Sequence, residues 1–366
     1  MILPLMAAAV LQSPLQLDRA TIEPVVRQTL DSLRIPGAVV AIAHGDSVVL
    51  LEAFGVRDVE SGAPMRSDDR FLIGSLTKQF TATLLAQLAA SGTLALDDPL
   101  AMHLDPAYPH PEWAQRVTLR QLATHTAGLP RNPVNRRDVP DSPGVMLPYS
   151  RTELYEGFTR TTLEAEPGSV RAYSNLGFAI LGEVVARAAG SRYEVVLGDS
   201  LLVPLGLEDT AIADARADES RFPSGYWPRD ERAIARPRWV FGEVTAFGGL
   251  YSTARDLARF LVAQTASGPG APFPAGTRAV LHTPSPGVAA TPGQAMALGW
   301  FVYSLPGGVT LVGGGGEVDS FSSAMGFVEA PRVAIVALTN RGGGSGEQVI
   351  RAVVQAVQPL LTSGAR

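Results

Sequence analysis

The sequence predicts an α+β fold: an antiparallel sheet built from both termini and flanked by helices, with a mainly helical lobe inserted between them. Three observations lead to it. Strand-like apolar runs cluster towards the two ends of the chain. The middle alternates helical patches with Pro/Gly/Asn-rich loops. The chain has 366 residues, 46% hydrophobic and 18% charged, enough for two lobes around a sizeable core.

Asp18–Leu33 carries Ile22, Val25, Val26, Thr29, Leu30 and Leu33 at helical spacing, and Pro36-Gly37 stops it. Ala38–Ala43 and Ser47–Phe54 read as strands around His44-Gly45-Asp46, a hairpin signal. Phe71–Ile73 leads into Gly74-Ser75. A helix over Leu76–Ala90 follows, with Leu76, Phe80, Leu84 and Leu88 on one face and Ser91-Gly92 closing it. From Asp97 to Arg238 the helical patches are Leu119–Thr124, Arg151–Arg160, Leu176–Ala189 and Tyr193–Leu201, and regular strand alternation is hard to find. Pro130–Pro148 reads as a surface loop near a site. Strand signals return at Leu298–Ser304, Val309–Val312, Ser322–Val328 and Val333–Leu338, before a terminal helix over about Glu347–Leu361. The expected division is therefore a sheet-containing lobe from 17–80 and 239–366, a mainly helical lobe from 81–238, and an active site between them. Residues 1–16 begin with the apolar run Met1–Leu11, far short of the ~20 residues that span a bilayer. It reads as the apolar core of an export signal, which places the protein in the periplasm or outside the cell, or as an ordinary apolar tail.

Composition excludes several functions. A formal net charge of -5 offers no basic field for nucleic acid. The absence of cysteine excludes a disulfide framework, thiolate metal sites and a cysteine nucleophile. His44, His103, His110, His125 and His282 form no tight metal spacing, so no metal or other cofactor is expected. No Gly-x-Ser-x-Gly occurs, which disfavours an α/β-hydrolase triad.

A single lysine, Lys78, stands among 30 Lys and Arg residues. A buried lysine can lose its proton and an arginine effectively cannot, so the survivor is expected where deprotonation matters. Ser75 and Lys78 lie three residues apart at a strand-to-helix junction, hence on one helix face. A serine hydroxyl needs a base to become a nucleophile, and a desolvated lysine can be that base. The plainer reading is a capping serine followed by a solvated lysine. Tyr173-Ser174-Asn175 opens an apolar helix; Tyr173 could pass a proton if Lys78 acted as a cation that lowers its pKa, and Asn175 offers a donor and an acceptor. A core tyrosine with a capping asparagine would look the same. Gly313-Gly314-Gly315-Gly316-Glu317 lets a ligand approach a strand backbone, or forms a bulge or turn. His125 reads as a scaffold residue.

These blocks resemble the serine β-lactamases of class C and their relatives: the D-alanyl-D-alanine carboxypeptidases, D-aminopeptidases and β-lactamase-fold esterases. The resemblance runs from about Ile22 to Leu338. It rests on Phe71-Leu72-Ile73-Gly74-Ser75-Leu76-Thr77-Lys78, Asp97-Asp98-Pro99, His125-Thr126-Ala127-Gly128-Leu129-Pro130, Pro167-Gly168 before Tyr173-Ser174-Asn175, and Gly248-Gly249-Leu250-Tyr251-Ser252-Thr253-Ala254-Arg255-Asp256-Leu257. It implies a β-lactamase/transpeptidase-like fold and an acyl-enzyme at Ser75. It also implies general-base and acid work shared by Lys78 and Tyr173, Asn175 in the active-site network, and Asn132 as a contact to a substrate amide. A third element of the family, Lys or His, then any residue, then Gly, is absent. Counting back from Phe321-Ser322-Ser323 puts Gly314 at the basic position, Gly315 next, Gly316 at the glycine and Glu317 at the backbone N–H of the oxyanion hole. The missing base argues against substrates recognised by a carboxylate, and an acidic Glu317 side chain would disfavour them further. The expected substrate is a small ester, amide or peptide. The alternatives are a β-lactamase or D-alanyl-D-alanine carboxypeptidase, and a non-catalytic binding protein for peptide or cell-wall fragments.

Overall fold

One strand, Gly37–His44, is buried along nearly its whole length, and that decides the layering. The computed structural model describes residues 17–363 except 140–141, 215, 228–234, 237, 269, 275 and 286–292; the expected export segment, 1–16, lies outside the described residues. The strands are β1 (Gly37–His44), β2 (Ser47–Gly55), β3 (Phe71–Leu72), β4 (Asp138–Val139), β5 (Ser142–Met146), β6 (Ala211–Ile212), β7 (Gly225–Tyr226), β8 (Ala235–Arg236), β9 (Leu250–Ser252), β10 (Gln294–Met296), β11 (Phe301–Leu305), β12 (Val309–Val318), β13 (Phe321–Val328) and β14 (Val333–Thr339). The helices are α1 (Arg19–Leu33), α2 (Thr77–Ala90), α3 (Leu119–Ala123), α4 (Arg151–Thr159), α5 (Asn175–Ala188), α6 (Tyr193–Leu197), α7 (Ala254–Thr265), α8 (Thr277–His282) and α9 (Ser345–Ser363).

A seven-stranded antiparallel sheet has the order β10-β11-β12-β13-β14-β1-β2, so strands from both ends of the sequence meet at the β14–β1 pair. Side chains alternate across a strand. Ala38, Val40 and Ile42 therefore pack against α1 and α9, where Ile22, Val26 and Leu30 meet Val349, Val353 and Val357. Val39, Ala41 and Ala43 face the other way, into the core shared with α2, α5 and α7. Burial on both faces makes β1 read as a continuous apolar run. The N-terminus of α1 is secured by Asp18, whose carboxylate accepts the Thr21 N–H at 3.0 Å.

Several elements differ from expectation, among them β4 and β5 inside the expected loop Pro130–Pro148 and the helices α7 and α8. β12 does not stop at Val312; it continues through the glycines to Val318 in unbroken register with β13, from Val312 opposite Phe327 to Val318 opposite Phe321. Glycine has low strand propensity, so only the neighbouring strands decide this. Leu298–Trp300 form a buried loop, and strand pairing there moves to β10 and β11. The expected helix Tyr193–Leu201 ends at Leu197 and passes into a π-turn over Gly198–Leu202. The middle region holds strands after all: β6 pairs with β9, which pairs with β3, the strand that leads to Ser75. Strands of two or three residues are too short to show alternation.

Candidate active site

Ser75 sits in a 3-10 turn, Gly74–Leu76, that runs directly into α2. The turn rests against β12. Gly74 has φ +51°, and a Cβ there would lie 2.8 Å from the Glu317 N and O; a Cβ on Gly316 would lie 2.0 Å from the Ile73 O. Both contact points need glycine because two backbones meet there. The Ser323 hydroxyl donates to the Ile73 carbonyl at 2.8 Å, and the Ile73 N–H donates to the Leu250 carbonyl at 3.0 Å. The Ser75 turn is thus held from both sides.

The Tyr173 hydroxyl donates to Ser75 Oγ at 2.6 Å, and Lys78 Nζ lies 3.1 Å from the same oxygen. Lys78 is buried, 3% exposed, with Nζ also 2.9 Å from Asn175 Oδ1 and 2.6 Å from the Phe247 carbonyl. Burial pulls the amine well below the usual lysine range, and the positive charge of Arg131 adds to the effect. A neutral amine has two N–H groups and one lone pair. The two carbonyl oxygens can only accept, so they take the two N–H groups. The lone pair is left facing the Ser75 hydroxyl.

Burial pushes the Tyr173 hydroxyl up to about 12, against the opposing pull of the Ser75 hydrogen bond and the Arg131 charge. This corrects the expectation that Lys78 would act as a cation to lower it. Burial favours the protonated phenol, which serves as the donor to Ser75. Ser174, not Asn175, caps α5, accepting the Gly177 N–H at 3.0 Å. The Asn175 side chain is therefore free for the site: its Oδ1 meets Lys78 and its Nδ2 donates to Asn132 Oδ1 at 2.9 Å. His125 Nδ1 accepts the Ser174 N–H at 3.1 Å, and burial holds the ring well below the usual histidine range.

On β12, Gly314 and Gly316 face α2 and the Ser75 turn, whereas Gly315 faces α9, where a Cβ would lie 2.1 Å from Glu347 Oε1. The space over Gly314 is not open. The buried Gln79 on α2 fills it, with Nε2 2.2 Å from where a Cβ would stand. The Glu317 carboxylate accepts the N–H groups of Gly343 and Gly344, the latter at 3.0 Å. The expected repulsion from Glu317 is thus corrected: a carboxylate tied to two backbone donors is turned away from the serine. Its backbone nitrogen remains beside Gly74.

A match to the family described as Beta-lactamase spans residues 22–358. The chain belongs to the β-lactamase family. It is 31% identical over 196 residues to the D-alanyl-D-alanine-carboxypeptidase/endopeptidase AmpH of Escherichia coli (strain K12), covering 52% of this chain and 47% of that protein. It is 31% identical over 220 residues to the esterase EstB of Burkholderia gladioli, covering 56% of this chain and 54% of EstB. The matches thus span about half the length of these two relatives. Among solved structures, the octameric penicillin-binding protein homologue from Pyrococcus abyssi superposes with a TM-score of 0.79 at 23% identity, over 93% of this chain and 78% of the other.

Within this β-lactamase-family chain, the structure brings Ser75, Lys78, Tyr173, Asn175 and Asn132 into one connected network. Two participants were missed. The Phe247 carbonyl has no side-chain signature. Gln79, a polar residue next to the lone lysine at the start of α2, was a usable signal. Two arginines could supply the cation that β12 lacks: Arg341 donates to the carbonyls of Leu33 and Arg34 at the end of α1, whereas Arg131 packs on Tyr173, its guanidinium carbon 5.0 Å from the ring centroid. No helix among the described residues is long and apolar enough to cross a membrane.

Proposed function

We propose that this chain is a serine hydrolase that acylates Ser75 and acts on esters or amides whose recognition does not depend on a carboxylate held from β12. The observation that carries this is Ser75 Oγ placed between a lone-pair-bearing Lys78 and a proton-bearing Tyr173. Lys78 takes the serine proton as Oγ bonds to the acyl carbon. The oxyanion is received by the N–H groups of Ser75 and Glu317. Tyr173 gives its proton to the departing group and regains one from the Lys78 ammonium, and water then releases the acyl group. The match to EstB supports the esterase form of this reading, and the match to AmpH keeps peptide amides within range. Labelling with a fluorophosphonate, together with an ester panel and a chromogenic cephalosporin, tests it; an unlabelled protein that still binds peptidoglycan fragments would favour the binding-protein reading.

Substrate choice follows from Gly314 and Gln79. A charge-assisted bond to a carboxylate is worth about 1.5–3 kcal/mol. Its absence on β12 should lower kcat/KM for a cephalosporin about 10- to 100-fold relative to a neutral p-nitrophenyl ester. Gly314→Lys alone should not restore it, because the new Cβ meets the Gln79 amide. The double variant Gln79→Ala/Gly314→Lys should shift the kcat/KM ratio towards the cephalosporin by about tenfold or more. An unchanged ratio in the double variant would argue against the placement of Gly314 at the basic position.

A further inference from the structure

We infer that Arg131 receives an anionic group of the substrate on the Tyr173 side of the site. This rests on the hydrolase reading above. The guanidinium covers the ring of the tyrosine whose hydroxyl lies 2.6 Å from Ser75 Oγ, yet the side chain is exposed to solvent. It has no carboxylate partner among the described residues, in a protein with 35 acidic residues against 30 basic ones. Acidic residues are therefore in excess, yet none of the described ones pairs with this exposed cation, which leaves its fork for an external anion. Its backbone is fixed as well: the Arg131 carbonyl accepts the Asn175 N–H at 2.7 Å and the Leu176 N–H at 3.3 Å, which ties residue 131 to the start of α5. The neighbouring residue, Asn132, is bonded to Asn175, so the segment is part of the site wall.

A second guanidinium stands nearby but is engaged. Arg171 donates to Gln294 Oε1 at 3.3 Å and stacks over Phe301 at 5.2 Å, so it adds positive field rather than a free donor. Arg131 offers an open planar fork, suited to a carboxylate.

The direction follows from the proton route. Tyr173 gives its proton to the departing group, so that group leaves across the tyrosine. Arg131, on the face of the same ring, is the cation it meets. The chemistry recognised is a carboxylate several bonds from the scissile ester or amide. Two sources can present it, the leaving group and the far end of an acyl chain, and the substrate pairs below separate them.

The test compares kcat/KM for phenyl acetate with 4-acetoxybenzoate, and for p-nitrophenyl butyrate with mono-p-nitrophenyl glutarate, in wild type, Arg131→Gln and Arg131→Lys. Loss of the Arg131 charge also acts on Lys78, and that part affects both members of a pair and cancels in their ratio. The anionic-to-neutral ratio should fall about 10- to 100-fold in Arg131→Gln, through KM rather than kcat, with partial recovery in Arg131→Lys. The drop should shrink as salt is raised. A fall in the 4-acetoxybenzoate pair assigns the anion to the leaving group, and a fall in the glutarate pair assigns it to the acyl end. A ratio unchanged within about threefold in both pairs overturns the inference. Fluorophosphonate labelling of each variant keeps the two readings apart: labelled protein with an unmoved ratio sinks this inference alone, whereas an unlabelled wild type sinks the hydrolase reading itself.

Discussion

Ser75→Ala is expected to abolish covalent labelling by a fluorophosphonate and to lower esterase kcat/KM by about 10⁴-fold or more, because it removes the nucleophile of the proposed mechanism. The fold should survive. Ser75 does not cap a helix: the turn that carries it has no side-chain capping bond. The real loss is the acceptor of the Tyr173 hydroxyl. Leaving a buried donor unpaired costs about 1–3 kcal/mol, and the half-buried position of Ser75 lets water replace the hydroxyl, so the lower end applies. Thermal melting of the variant should therefore show a modest shift with one cooperative transition. Labelling that persists in Ser75→Ala would move the nucleophile elsewhere.

The second large effect concerns the lone lysine. Lys78→Arg should be nearly as inactive as Lys78→Ala, each down about 10²- to 10⁴-fold in kcat/KM. Arginine keeps the charge but has no lone pair to offer near neutral pH. Its wider head group must also fit a space bounded by Ser75, Asn175 and the Phe247 carbonyl. A melting curve for each variant separates lost chemistry from lost folding. The pH profile gives an independent check. In the proposed mechanism Lys78 works as the neutral amine, so activity should be lost as pH falls through its folded-state pKa, and burial should set that acid limb well below the ordinary lysine value of about 10.4. Tyr173, pushed up to about 12, stays protonated over the usual assay range and adds no basic limb there. An acid limb near the ordinary lysine value, or an Arg variant that keeps most of its activity, would pass the base role away from Lys78.

The proposed ester preference rests on Gly314 and Gln79, and the proposed anion subsite rests on Arg131 over the Tyr173 ring. On the β12 side, Gly314 supplies no side chain and Gln79 supplies a neutral amide. On the Tyr173 side, Arg131 supplies an exposed charge. A substrate with its carboxylate towards β12 and one with its carboxylate towards Tyr173 should therefore be treated differently, though their net charge is the same.

The legibility of this protein varied with the range of the interactions involved. The helices and long strands could be read because their apolar residues repeat at the period of the element: Ile22, Val26 and Leu30 on α1, and the unbroken apolar run of β1 between two packed layers. Ser75 and Lys78 were legible together because one helical turn forces them onto a common face, and the scarcity of lysine singled out the second. Contacts between distant segments were not legible. No local pattern says that Tyr173 lies on Ser75, 98 residues away, or that the Phe247 carbonyl, 169 residues from Lys78, accepts one of its N–H groups. Protonation states belong to the same class. From the sequence, a charged Lys78 beside an acidified tyrosine was as reasonable as the reverse. Burial decides between them, and burial arises only when α2, α5 and the segment around Phe247 close over the amine. The four glycines make the point most sharply. As a sequence they permit a turn, a bulge or a strand. The pairing of β12 with β13 makes them a strand, and the Met325–Gly326 backbone and the approach of the Ser75 turn leave no room for a Cβ at positions 313 and 316. The sequence alone determined which elements form and which residues have the chemistry to react. The tertiary structure decided which of those residues meet and which of them are buried, because those outcomes depend on distance and desolvation rather than on local spacing.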